Sequence, residues 1–301
     1  MNAPVAPARP AARHTAPLHL LTKGIVAVGA AVSMGCGPLA SARVEGIAPA
    51  PRAAIAAFDG RRPAVRAEGE RGSSGAADLW RGSGRVRILE PRNPAHREMA
   101  KALVPFATAI DKSMELRGEL AFSVADCEGG SPFYHPASQT IVVCEDAMTA
   151  VGRLFAGRRS EAELSTGAQE FILLHELGHA LIHIQQLPVV GREEDAADQF
   201  AVHYSLGRES GGLVRVLAAA EFFGAMSDRS GFVSDREAAG EHATPRQRMF
   251  NLRCWAYGAS PSRLEWVVTD GLLPESRAAR CPTEVAALDR AWSALLRGTV
   301  R

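Results

Sequence analysis

His175, Glu176 and His179 form His-Glu-Leu-Gly-His, inside the nearly unbroken apolar run Phe171–Ile184. Apolar residues on every side predict a helix buried all round. Polar groups in such a helix need partners, because an unpaired buried one costs roughly 1–3 kcal/mol. Residues four apart lie one turn apart, so both imidazoles point to one side and can fill two vertices of a tetrahedral zinc site. Glu176 then sits beside the metal, where a carboxylate can move protons. The motif alone also fits two satisfied core histidines, so the next segment decides.

A catalytic zinc site needs a third protein ligand and an open fourth position. A histidine reached through a glycine turn is one solution, but Ile182 and Gln185 stand at those positions. His183 is two turns from His175, too far along the axis at ~1.5 Å per residue, and reads as an outlying or half-exposed residue. A Glu on a following helix is the other solution. After the turn Pro188–Gly191, Glu194, Ala197, Asp198 and Ala201 share one helical face. The alanines, with Gly178 opposite, allow close approach, so Glu194 can reach the metal and Asp198 can accept a ligand ring N–H. Acidic residues at 193–195 also suit any helix N-terminus. That ordinary reading leaves Asp198 unexplained.

The rest of the chain must position these two helices. Its 301 residues are 47% hydrophobic and 22% charged, enough for one sizeable core. A formal charge of +1 supplies no global field for nucleic acid or anionic lipid. Arg9, Arg13 and Lys23 precede an apolar stretch from Gly24 to Ala40 that ends in Ala40-Ser41-Ala42, so residues 1–42 read as a signal peptide. Cys36 loosely resembles a lipoprotein site and ranks below cleavage. Residues 43–85 are rich in Ala, Pro, Gly and Arg without periodicity, which predicts a disordered linker. The folded domain is then 86–301, periplasmic or secreted, with no stable membrane span once the leader is removed.

Within it, helical spacing runs through 93–116, and two short strands, 119–124 and 140–144, read as a hairpin. Helices follow near 147–157, 167–186, 193–207, 211–226, 244–257 and 283–297, with Thr166 and Gln169 as a capping box for the zinc-motif helix. The fold class is α+β, mostly helical with a small early sheet. Four cysteines remain after the leader and permit three pairings. Export and proximity favour Cys127–Cys144 and Cys254–Cys281.

His-Glu-Leu-Gly-His followed by Glu194-Asp195-Ala196-Ala197-Asp198 resembles the gluzincin metallopeptidases. Residues 90–298 more closely resemble a bacterial metallopeptidase family designated a domain of unknown function. The resemblance rests further on Phe133-Tyr134-His135-Pro136, Gln247-Arg248 with Asn251, and Leu273-Pro274-Glu275 leading to Arg280-Cys281-Pro282. The chain departs from the family at Ser131-Pro132, where Asn-Ala is expected, so substrate contacts of that strand are not carried over. The resemblance implies a zincin-like domain, one Zn2+ per chain on His175, His179 and Glu194, and a polypeptide substrate. It implies Glu176 as general base and, from Glu241-His242-Ala243, His242 as a stabiliser of the oxyanion, with Tyr134 a weaker candidate. Two alternatives stand beside peptide hydrolysis: a non-catalytic zinc-stabilised module, and a zinc hydrolase of another bond.

Overall fold

The computed structural model describes residues 77–207, 211–227 and 239–299. The expected signal peptide with Cys36 and most of the expected linker lie outside the described residues. The sheet nevertheless begins inside the stretch read as linker. Strand β1 (Asp78–Arg81) pairs antiparallel with β2 (Val86–Leu89), so the folded part starts before Val86. Asp111 explains why so few apolar residues suffice there. Its buried carboxylate accepts N–H bonds from Gly84 and Val86 and clamps the β1–β2 turn from a helix.

Helices α1 (Arg97–Ala102) and α2 (Val104–Ser113) follow, with the break falling at Leu103-Val104-Pro105. Proline is tolerated in a helix's first turn but not in its interior, so it divides the single expected helix in two. Phe106 of α2 meets Phe122 edge-on, ring centroids 6.0 Å apart, and so packs this pair on the sheet.

Strands β3 (Leu120–Ala125) and β5 (Thr140–Cys144) lie side by side but are parallel, which corrects the hairpin reading. The chain leaves β3 through the turn at Glu128–Gly130. It runs to the sheet edge as β4 (Phe133–His135) and returns antiparallel through the left-handed Gln139, so β5 inserts between β3 and β4. The strand order is β1-β2-β3-β5-β4. Near-continuous apolar runs in β3 and β5 suit parallel strands covered on both faces. Short β4, closed off by Pro136, forms one edge of the sheet, and β1 forms the other.

Helices dominate from α3 (Glu145–Leu154) onward, giving the expected α+β class. Helix α4 (Glu161–Gln185) carries His175, Glu176 and His179 and is buried along most of its length. It starts earlier than the capping-box reading placed it. Thr166 and Gln169 are inside it, and the Gln169 side chain instead donates to the carbonyl of Met148 at 2.8 Å. Its end is as expected: Gln186 takes a left-handed conformation just ahead of Pro188.

Helices α5 (Glu193–Leu206) and α6 (Gly212–Ser227) pack on α4, and α7 (Pro245–Ala259) packs in turn on α6. Short α8 (Glu265–Thr269) and α9 (Glu275–Ala278) lead to α10 (Cys281–Leu295), whose Trp292 packs on Phe200 of α5 at 5.1 Å. Cys127 joins Cys144 and Cys254 joins Cys281, the local pairing expected from the sequence. Among the described residues no helix is long and apolar enough to cross a membrane.

The contact that sets the site is α4 against α5. A Cβ on Gly178 would lie 2.9 Å from the Cα of Ala197, closer than real atoms approach. Alanine ordinarily stabilises a helix interior by about 1 kcal/mol over glycine. Here Gly178→Ala must wedge the two helices apart, and overpacking of this kind costs about 1–3 kcal/mol. The expected result is a lower thermal midpoint, and an unchanged or higher one would show that the helices have room.

Candidate metal centre

Helix α4 presents His175 and His179 one turn apart, and Gly191, with φ of 100°, turns the chain so that α5 begins beside them. Glu194 stands in the first turn of α5, its side chain 8% exposed. Glu194 Oε2 lies 3.0 Å from His175 Nε2 and 3.2 Å from His179 Nε2, and the two nitrogens are 3.3 Å apart. Among the described residues these three form the group of side chains able to hold a metal ion.

The other ring nitrogens show why a cation fits. His175 Nδ1 is 2.9 Å from Asp198 Oδ1, and His179 Nδ1 is 2.7 Å from Glu193 Oε1. An ionised carboxylate only accepts, so each Nδ1 carries the proton. In the neutral rings each Nε2 then offers a lone pair toward Glu194. Two imidazole nitrogens and a carboxylate oxygen, all electron donors aimed at one point, are a ligand set that zinc accepts.

Burial alone drives the His175 imidazolium down, but its bonds to Asp198 and Glu194 outweigh that, and the pKa rises to about 9. Burial and the neighbouring His175 press the His179 pKa down, but its bond to Glu194 and the charges of Glu176 and Glu194 raise it overall. Burial raises the Glu194 and Asp198 carboxyls in isolation, yet both end well below the usual range. The histidines around Glu194, and Arg248 with His175 beside Asp198, favour their charged forms. Protons and a metal ion compete for the same lone pairs here.

Glu176, on the next position of α4, is buried, and burial pushes its pKa up against the pull of His175 and His179. The backbone N–H of Tyr134 donates to its Oε2 at 2.8 Å, so the sheet's edge strand fixes this carboxylate. The Tyr134 hydroxyl is 2.9 Å from His183 Nδ1, which gives His183 a partner away from the cluster. Burial pushes that hydroxyl up to about 12, so it stays neutral.

His242 reaches the cluster from the segment before α7. Its Nε2 is 2.8 Å from Glu194 Oε2, with the side chain 47% exposed. Its ring runs nearly parallel to that of His175, 6.0 Å away. The capping box of Thr244 and Gln247 closes the turn between His242 and the helix.

His175, His179, Glu194, Asp198 and His242 are thus brought together with Glu176 beside them on α4, whereas the Tyr134 hydroxyl is turned to His183. Two participants carry contacts that the sequence reading did not assign. Glu193 reads as an N-terminal charge favoured by the helix dipole, and its bond to His179 depends on how α5 crosses α4. Arg248 fixes both oxygens of Asp198, Nη2 to Oδ1 at 2.6 Å and Nε to Oδ2 at 2.8 Å. A cation near a helix N-terminus opposes the dipole, and that misplacement was the available signal.

A protein-family model whose description reads "Putative metallopeptidase" matches residues 95–296. No curated protein and no solved structure matches the chain.

The two carboxylates behind the histidines differ in exposure, and their variants should differ accordingly. Asp198→Asn is expected to weaken zinc binding by ~10–100-fold, as loss of such partners does. Glu193 is 53% exposed, so water can replace it, and Glu193→Gln should cost clearly less. Chelator competition measures both, and equal losses would overturn the ranking.

Proposed function

The chain belongs to this metallopeptidase family, and from that premise we propose that it is an exported zinc peptidase with Glu176 as its general base. The observation that carries the reading is the meeting of His175 Nε2, His179 Nε2 and Glu194 Oε2, each ring locked behind by a carboxylate. His175, His179 and Glu194 would hold the zinc ion, which would supply positive charge to polarise a carbonyl and to lower the pKa of a water to ~7. Glu176, fixed by the Tyr134 N–H, accepts the proton of the attacking water and returns it to the leaving amine. His242, half-exposed and just ahead of the capped end of α7, faces the cluster from the solvent side. It donates a hydrogen bond to the oxyanion that forms as the peptide carbonyl is attacked. Two disulfides and a leader-like start support an oxidising compartment, periplasmic or extracellular.

One observation favours a second reading. Because His242 Nε2 lies 2.8 Å from Glu194 Oε2, it could close the site as a fourth protein ligand, and the centre would then be a structural zinc that joins helices. His242→Ala separates the two. The oxyanion role predicts full zinc uptake with kcat lowered by ~10²–10³-fold. The structural role predicts loss of zinc affinity.

The catalytic reading has its own test on a peptide library. Zinc-loaded protein should cleave it, chelation should stop cleavage, and added zinc should restore it. Glu176→Gln should retain the metal and lose hydrolysis, whereas Glu194→Ala should lose the metal. Cleavage by Glu176→Gln at the wild-type rate would eliminate the proposed base.

A further inference from the structure

Arg248 connects more of the site than its sequence position suggests. It sits in the first turn of α7, 12% exposed, where its cost against the helix dipole needs compensation. Its guanidinium lies over the Phe223 ring of α6 at 3.8 Å and faces both oxygens of Asp198 on α5. Asp198 in turn accepts from His175 Nδ1 on α4. Four helices therefore converge on one planar cation. Lysine, a point charge, cannot reproduce two parallel bonds and a stacked face at once.

A second feature makes the arrangement more than a helix fastener. Glu194 and Asp198 are one turn apart on α5, and they meet His242, just before α7, and Arg248, near its start, respectively. The Thr244–Gln247 capping box makes the intervening chain a fixed turn. Two attachments with a rigid spacer set both the position and the rotation of that turn. Movement of Arg248 would free the Asp198 carboxylate to rotate, release the His175 ring and carry His242 off Glu194.

We infer that Arg248 is a positioning residue of the metal centre, acting through Asp198 on the His175 ring and through the capped turn on His242. This rests on the proposed zinc site. The test uses the full chain with its disulfides, zinc affinity by competition with a chromophoric chelator, and the visible spectrum of the cobalt-substituted protein. R248Q is expected to weaken zinc binding by roughly 10-fold, the lower end of losses for groups behind a ligand, and to alter the cobalt bands. D198N/R248Q should bind no more weakly than D198N alone, because Arg248 acts through that carboxylate.

Wild-type affinity and an unchanged cobalt spectrum in R248Q would overturn the inference, as would losses that simply add in the double variant. If R248Q does not fold, R248K keeps the charge but not the paired bonds and should still bind zinc more weakly than wild type. Full affinity in R248K overturns the clamp. Failure of the wild-type chain to take up zinc sinks the metal-site reading beneath it. A zinc-binding wild type beside an unaffected R248Q sinks this inference alone.

Discussion

Two helices that touch backbone to backbone govern the rest of this structure. Where α4 crosses α5, Gly178 faces Ala197 with no space for a methyl group. Only at that separation can carboxylates in the first two turns of α5 reach imidazoles on α4. A larger residue at either position moves Glu194 outward along with the backbone that carries it. Glycine in a helix interior is unfavourable by about 1 kcal/mol against alanine. The structure tolerates that cost because the contact lets charged groups meet inside the fold.

Once they meet, charge has to balance. Glu176, Glu194 and Asp198 are all buried beside His175, and buried carboxylates without partners are strongly unfavourable. Their compensation is unequal. Asp198 has the Arg248 fork, and Glu194 has three histidines. Glu176 has a single backbone N–H, and its pKa is displaced upward while those of the other two fall. The carboxylate with the poorest compensation is the one best suited to taking up a proton and releasing it, and the two with rich compensation are suited to staying charged. The proposed division of labour between ligand, orienting group and base matches how each carboxylate is surrounded.

How far the sequence reveals this depends on the range of each interaction. Contacts within one helix turn repeat at fixed spacing, so His175, His179, Glu194 and Asp198 are legible as faces. The pairing of Cys127 with Cys144 and Cys254 with Cys281 is legible because each pair closes a local loop. Strand direction is not. The segments 120–125 and 140–144 look like hairpin partners, and only the excursion through β4 makes them parallel. The start of the sheet is hidden too, because β1 depends on Asp111, far along the chain, rather than on its own apolar residues. Glu193 and Arg248 belong to the same class. Their types are visible, but their partners are fixed by how helices cross.

The small sheet, peripheral to the helical bulk, makes sense through its edge. Edge strand β4 has one neighbour, β5, so its outer backbone groups are not used in the sheet. The Tyr134 N–H goes to Glu176, and the Tyr134 side chain to His183 further along α4. Strand and helix are thereby joined at two points on either side of a single residue. The disulfide at Cys144 sits at the far end of the neighbouring strand β5, where α3 begins. It ties that strand to the loop leaving β3, so the sheet cannot slide in register without straining a covalent link. A strand that is held in register is a fixed reference for the carboxylate bonded to it. The early sheet therefore acts on the site by holding still the one acidic group that the helices leave least supported.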